Sequence, residues 1–282
     1  MKSLKNTKVQ KQNNEHNTII SCGDVIFGEG YCTIIAGPCA IENKEIALQT
    51  AKEVVASGAT VFRSSLFKPR TSPYSFQGYG AEGIKILNAV KSETNLLLES
   101  EILSKEHLEI LYDHVDLLRI GSRNMDNYEL LKEVGKTSKP VILKRGMSST
   151  LEEFLLAAEY IISNGNERVI LCERGIRTFE SYTRNTLDVL AIPSLKELTH
   201  LPVIVDPSHS CGRSSLIPSA SRAALAAGAD GLIIEVHPDP ESALSDGEQS
   251  ISFEVFNNLM KDFRGLTELM NKKMITNRKV TV

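Results

Sequence analysis

The sequence predicts an α/β protein, a (β/α)8 barrel preceded by a short β-hairpin. Three observations predict it. Short apolar runs rich in β-branched residues recur at 32–36, 60–62, 96–98, 117–120, 141–143, 169–171, 203–205 and 232–234. A segment of helical period follows each run. Polar and charged residues then collect at the same end of all eight. Continuous apolar strands, each followed by a helix, imply a parallel sheet covered on its outer face. Eight such units fit a closed barrel better than an open sheet. No Gly-x-Gly-x-x-Gly follows any strand, so a dinucleotide-binding sheet lacks its phosphate loop.

In chain order, residues 1–17 are rich in Lys, Asn and Gln and read as a disordered arm. Residues 18–31 read as a hairpin, with apolar triplets 18–20 and 25–27 on either side of Cys22-Gly23-Asp24. Residues 32–266 form the expected barrel, with helices at 45–56, 81–90, 104–112, 126–134, 150–162, 194–198, 219–227 and 254–263. Residues 267–282 remain as a C-terminal tail.

A net charge of −3 gives no reason to expect nucleic acid or an anionic membrane as partner. Five scattered cysteines and no secretory apolar segment point to free thiols in a reducing cytoplasm. No apolar run is long enough to cross a bilayer.

Active sites of such barrels lie at the carboxyl ends of the strands. The second strand leads into Arg63 and then the loop Lys68-Pro69-Arg70-Thr71-Ser72. Its prolines hold an ordered loop, and its cations and hydroxyls suit a phosphate or carboxylate. Arg123, Lys144 and Arg174 follow the fourth, fifth and sixth strands, so six cations converge on one mouth. Like charges held close repel unless anions neutralise them. One or two should form structural pairs with Glu101, Glu173 or Glu235. The rest are enough for two phosphates and a carboxylate.

Cys39, His209, Glu235 and Asp246 follow the first, seventh and eighth strands, and the first and eighth are neighbours in a closed barrel. These are ligand types for one divalent metal ion, and the mixed set does not choose between Mn, Fe, Co and Zn. His237 shares the face of Glu235 but lies further along the loop, and Cys211 reads as a bystander thiol.

The motifs Ala36-Gly37-Pro38-Cys39, Phe67-Lys68-Pro69-Arg70-Thr71-Ser72-Pro73-Tyr74, Arg123-Asn124-Met125, Leu143-Lys144-Arg145-Gly146, Cys172-Glu173-Arg174-Gly175-Ile176-Arg177-Thr178-Phe179-Glu180, Asp206-Pro207-Ser208-His209, Glu235-Val236-His237-Pro238 and Ser245-Asp246-Gly247 are spread over about residues 30 to 264, nearly the whole folded part of the chain. They carry a resemblance. The sequence resembles the 3-deoxy-D-arabino-heptulosonate 7-phosphate (DAHP) synthases, of the short microbial type related to the KDO-8-phosphate synthases. That family is a metal-dependent (β/α)8 barrel that condenses phosphoenolpyruvate with erythrose 4-phosphate, the first step of the shikimate route. The resemblance implies Cys39, His209, Glu235 and Asp246 as metal ligands. It implies Arg123, Lys144 and Arg174 as the phosphoenolpyruvate phosphate clamp, with Gly121, Ser122 and Glu101 beside it. Arg63 and Lys68 look like partners of its carboxylate, and Arg70 and Thr71 like the erythrose 4-phosphate phosphate site. Lys68 is the expected proton donor, with its pKa depressed by Arg63 and Arg70. A homotetramer or homodimer is implied as well.

The sister KDO-8-phosphate synthases typically carry an Ala-Asn-Arg-Ser-Ser type loop, and Lys68-Pro69-Arg70-Thr71 favours the four-carbon sugar phosphate instead. A Schiff-base aldolase using Lys144 is the alternative from another reaction class. Three positions depart from the family pattern. Ser64-Ser65-Leu66 replaces a Gly-Gly-Ala type run, Ser104 stands where Asp is frequent, and Arg119 stands where Gln is usual. By parity Arg119 points into the barrel, where Glu99 or Glu101 is its natural partner. With only about 30 residues before the first barrel strand, no regulatory or chorismate mutase domain and no feedback inhibition by aromatic amino acids are expected.

Overall fold

The computed structural model describes residues 3–70 and 72–276. Eight parallel strands close into a barrel: β3 (Tyr31–Gly37), β4 (Val61–Arg63), β5 (Leu97–Glu101), β6 (Leu117–Ile120), β7 (Val141–Lys144), β8 (Val169–Glu173), β9 (Val203–Val205) and β10 (Gly231–Glu235). Each pairs with the next, and β10 returns to β3 along five residue pairs, from Gly231 opposite Thr33 to Glu235 opposite Gly37. The expected barrel is therefore observed, and closure removes the exposed edges an open sheet would leave. The connecting helices are α1 (Lys44–Ser57), α2 (Ile84–Thr94), α3 (Lys105–Leu111), α4 (Tyr128–Gly135), α5 (Leu151–Ser163), α6 (Ala191–Leu198), α7 (Pro207–Cys211), α8 (Ile217–Ala226) and α9 (Phe253–Leu269).

Local sequence fixes where these helices start. Asn43 caps α1 by accepting from the Ile46 amide, and Thr150 and Glu153 form a reciprocal capping box on α5. Ser104 caps α3 by accepting from the His107 amide.

Alternation along the strands sorts the barrel interior by height. Its lower part is apolar: Ile35, Val61, Leu117, Ile142, Ile170, Ile204 and Ile233 form one buried cluster. The hairpin of β1 (Ile20–Cys22) and β2 (Val25–Phe27) closes the bottom, with Ile20, Val25 and Phe27 joining that cluster. Cys22 is the last residue of β1 rather than part of the turn. A second, larger apolar cluster lies between the outer strand faces and the helices.

Both chain ends are more ordered than composition implies. Residues 3–17, expected as a disordered arm, pack along the barrel. Leu4 and Val9 are buried, the Val9 amide donates to Glu159, and Thr199 donates to the Val9 carbonyl at 2.6 Å. Two apolar anchors and paired backbone groups outweigh an otherwise polar composition. At the other end, α9 runs through Leu269, and β11 (Lys273–Met274) pairs with β3. Lys272 reaches Asp230 at 2.7 Å beneath it. The expected tail therefore begins inside an element; its residues 277–282 lie outside the described ones.

Phe27 is fully buried in the plug beneath the barrel. Phe27→Ala should cost about 3–5 kcal/mol in urea denaturation. A loss below ~1 kcal/mol would show that the hairpin is not part of the barrel core.

Candidate active site

The upper interior of the barrel is charged, and its charges are paired across strands. Arg63 ends β4 fully buried, with Nη2 2.7 Å from Glu235 Oε1 and Nε donating to the Pro38 carbonyl at 3.0 Å. Arg119 on β6 donates from Nε to Glu99 at 2.6 Å, from Nη1 to Glu101 at 3.1 Å and from Nη2 to Ser65 Oγ at 2.5 Å. Lys144 at the end of β7 meets the carboxylate of Asp206. Arg145 takes Glu173 and Asp188. Buried charges require such partners. Both glutamates proposed for Arg119 are its partners. Asp206 as the partner of Lys144 was not foreseen.

A cavity of about 280 Å³ opens above this layer. Lys68, Arg70, Arg123, Lys144, Arg174 and Arg184 line it, with Glu101, Gly121, Ser122, His209 and Asp246. Among the described residues, no carboxylate lies in ion-pair contact with Lys68, Arg70, Arg123 or Arg174. Arg70 donates to Ser245 Oγ at 2.7 Å and Arg123 to the Pro69 carbonyl at 3.4 Å. Arg174 donates only to the carbonyls of Gly175 and His209, and its burial pulls its pKa down. A buried cation without an anion is poised to bind one. Arg63 differs from its expectation: it lies below the cavity, engaged with Glu235. Thr71 lies outside the described residues.

Two glycines set the cavity's shape. A Cβ on Gly121 would sit 2.1 Å from Glu101 Oε1, so only glycine lets that carboxylate reach the wall. Gly78 has φ 94° and folds the cation loop back, where a Cβ would meet the Leu66 carbonyl at 2.1 Å.

Closure of β10 on β3 brings Cys39, Glu235 and Asp246 together, with one ligand atom of each within 4.8 Å of the others. Cys39 Sγ lies 3.0 Å from Asp246 Oδ2. Asp246 takes a left-handed φ of 53°, which aspartate tolerates better than most residues. His209, the fourth expected ligand, is outside this tight group, yet its Nε2 lies 3.7 Å from Glu235 Oε1. It sits on α7, a five-residue helix capped by Asp206, which accepts from the His209 amide at 2.8 Å. Nδ1 of His209 lies 2.8 Å from Asp206 but off the line of a hydrogen bond. His237 turns away, with Nδ1 donating to the Asp239 carbonyl at 2.7 Å and Nε2 facing Glu42. Cys211 is not part of the group.

Burial and Glu235 push the Cys39 thiol up to about 12, so a bound cation would have to form the thiolate. A buried set of one sulfur and two carboxylates, with an imidazole at its edge, fits a divalent first-row metal. Lys68 corrects an expectation. Burial opposes its charge, but Cys39, Glu101 and Glu235 outweigh burial and Arg63, and its pKa is raised rather than depressed. The sequence showed the neighbouring cations but not the carboxylates that fold against them.

Three contributors escaped sequence reasoning. Asp206 was legible as an N-cap before Pro207. Gln249 donates to Glu235 Oε2 at 2.8 Å, and Arg184 donates to Gln249 and lies 3.5 Å from Asp246; neither carries a local signal.

The profile of the DAHP synthetase I family matches residues 6–272. The phospho-2-dehydro-3-deoxyheptonate aldolase of Thermotoga maritima is 48% identical over 266 residues, 94% of this chain and 79% of that protein. A 2-dehydro-3-deoxyphosphooctonate aldolase of Geobacter sulfurreducens is 33% identical, over 89% of this chain and 98% of its own length. A crystal structure of the Thermotoga maritima DAHP synthase superposes with TM-score 0.92 at 47% identity, covering 95% of this chain and 78% of that one. A truncated form of that synthase gives 0.88 at 44% identity, over 94% and 98%.

Burial holds the His209 imidazole down to about 4, against the attraction of Asp206, from an ordinary 6.5. Between those values the unfolded chain binds a proton that the folded chain refuses, so stability falls as pH falls through this window. Metal-free protein should lose stability from pH 6.5 to 4 in urea titrations, and His209→Gln should flatten that slope. An unchanged slope in the variant would contradict the assignment.

Proposed function

The chain belongs to the DAHP synthetase I family, and we propose that it condenses phosphoenolpyruvate with erythrose 4-phosphate to give DAHP and phosphate. The observation that carries the reading is a set of four cations, Lys68, Arg70, Arg123 and Arg174, that make no ion pair among the described residues and surround one cavity beside the Cys39–Glu235–Asp246 group. Two phosphorylated substrates bring the anions these cations lack.

In this reading Arg123 and Arg174, with Lys144 beneath, bind the phosphoenolpyruvate phosphate. The Ser122 edge and Glu101 border it, and Lys68 takes the carboxylate, with Arg63 holding Glu235 in place below. Arg70, fixed by Ser245, reaches the sugar phosphate, with Thr71 as its expected neighbour. Cys39, His209, Glu235 and Asp246 would hold one divalent ion. When bound, that ion supplies Lewis acidity at the aldehyde oxygen. The clamp places C3 of phosphoenolpyruvate against the aldehyde carbon, where the new bond forms. Water adds at C2, and phosphate leaves with C–O cleavage. Lys68, charged at neutral pH by its surrounding carboxylates, is the proton donor to the new hydroxyl. The protein acts in the cytoplasm as a homotetramer or homodimer; no helix among the described residues is long and apolar enough to cross a membrane.

The Geobacter relative's name makes a five-carbon sugar phosphate the second reading. Chelated and then remetallated enzyme should convert phosphoenolpyruvate with erythrose 4-phosphate far faster than with arabinose 5-phosphate. The reverse preference would move the chain to the sister activity, and chelator resistance with borohydride trapping at Lys144 would move it to Schiff-base chemistry. Arg174→Ala should weaken phosphoenolpyruvate binding roughly 10–100-fold, because a charged hydrogen-bonding partner is worth about 1.5–3 kcal/mol. Unchanged affinity in calorimetry would remove Arg174 from the clamp.

A further inference from the structure

Arg119 is held inside the barrel by three acceptors. It is 1% exposed, and each of its three nitrogens has an acceptor, from Glu99, Glu101 and Ser65. Three of its five N–H donors are thus taken up within the barrel wall, although it borders the cavity. Its effect on the cavity passes through Glu101, its register neighbour on β5. The guanidinium ties Oε2 of Glu101 at 3.1 Å. The other oxygen, Oε1, lies over Gly121, where a Cβ would come within 2.1 Å of it. Both Glu101 and Gly121 line the cavity. One carboxylate oxygen is thus anchored and the other is presented.

We propose that Arg119 is a positioning residue: with Glu99 and Ser65 it anchors one oxygen of Glu101 so that the other faces the cavity as a fixed acceptor for a water or a substrate hydroxyl. This rests on the function proposed above and adds a residue to it. A guanidinium fork suits the task, because it holds several acceptors in one plane, whereas an ammonium cannot. Glu99 supplies the counter-charge that keeps Arg119 in place, and its second oxygen, Oε2, has no hydrogen-bond partner among the described residues. Ser65 closes the fork from the loop after β4. The three supports come from separate stretches of chain and act on one nitrogen plane.

An acceptor among cations should aid turnover rather than the binding of an anionic substrate. The test is a double-mutant cycle on the full chain, read as kcat, as phosphoenolpyruvate affinity by calorimetry, and as thermal midpoint. Arg119→Gln alone strands Glu99 as a buried charge and risks misfolding. The main variant is therefore Glu99→Gln with Arg119→Gln, which removes both charges, and Arg119→Lys is the conservative companion. We expect the paired variant to lose roughly 10-fold or more in kcat, with phosphoenolpyruvate affinity changed less than about threefold. Arg119→Lys should recover part of that loss. In a Glu101→Gln background the same paired change should cost about twofold or less, because its target is already gone.

A paired variant with unchanged kcat overturns the proposal. So does a loss of equal size with and without Glu101, or loss of folding in both variants, which would make Arg119 purely structural. If the parent enzyme converts phosphoenolpyruvate with neither aldose, the function proposed above falls and this inference falls with it. An active parent with multiplying effects refutes the positioning role alone.

Discussion

The structure depends on one constraint: charges buried inside a closed barrel must find partners there. The lower interior avoids the problem with isoleucines, valines and leucines over the Phe27 plug. The upper interior meets it with Arg63–Glu235, Arg119–Glu99–Glu101 and Lys144–Asp206. Such pairs add little net stability, since desolvation offsets most of their attraction, but breaking one leaves an uncompensated charge. Their importance here is geometric. They engage the carboxylates below the cavity, and among the described residues Lys68, Arg70, Arg123 and Arg174 above it make no ion pair.

The same closure makes the candidate metal group. Cys39 stands just past β3 and Glu235 ends β10, strands that are distant in sequence and adjacent in the sheet. Asp246 reaches them from a later loop in a left-handed turn, and Gln249 steadies the second oxygen of Glu235. Arg63 holds its first oxygen. Anion-binding and metal-binding features thus share residues, and a change in either should be felt by the other.

Much of this was legible in the chain. Eight apolar runs gave the strand count, and two-residue parity placed Arg119 and its glutamates inside. The polar strand ends marked the mouth. What was not legible depended on contacts between distant stretches. Lys68 sits among cations along the sequence but among carboxylates in space, so its pKa moves the other way. Composition hid Leu4 and Val9, two anchors in a polar segment. The Ser65 and Arg119 departures looked separate in sequence, yet the fold joins them by one hydrogen bond, with Glu99 as counter-charge.

The central claim is that one cavity holds both the metal group and the phosphate clamp. Its most direct test is a crystal structure of the chain with manganese and phosphoenolpyruvate, using anomalous scattering to place the metal. The account predicts a single strong anomalous peak bounded by Cys39, His209, Glu235 and Asp246, with the phosphate against Arg123, Lys144 and Arg174 in the adjoining cavity. A metal bound away from Cys39, or a phosphate outside that cavity, would contradict it.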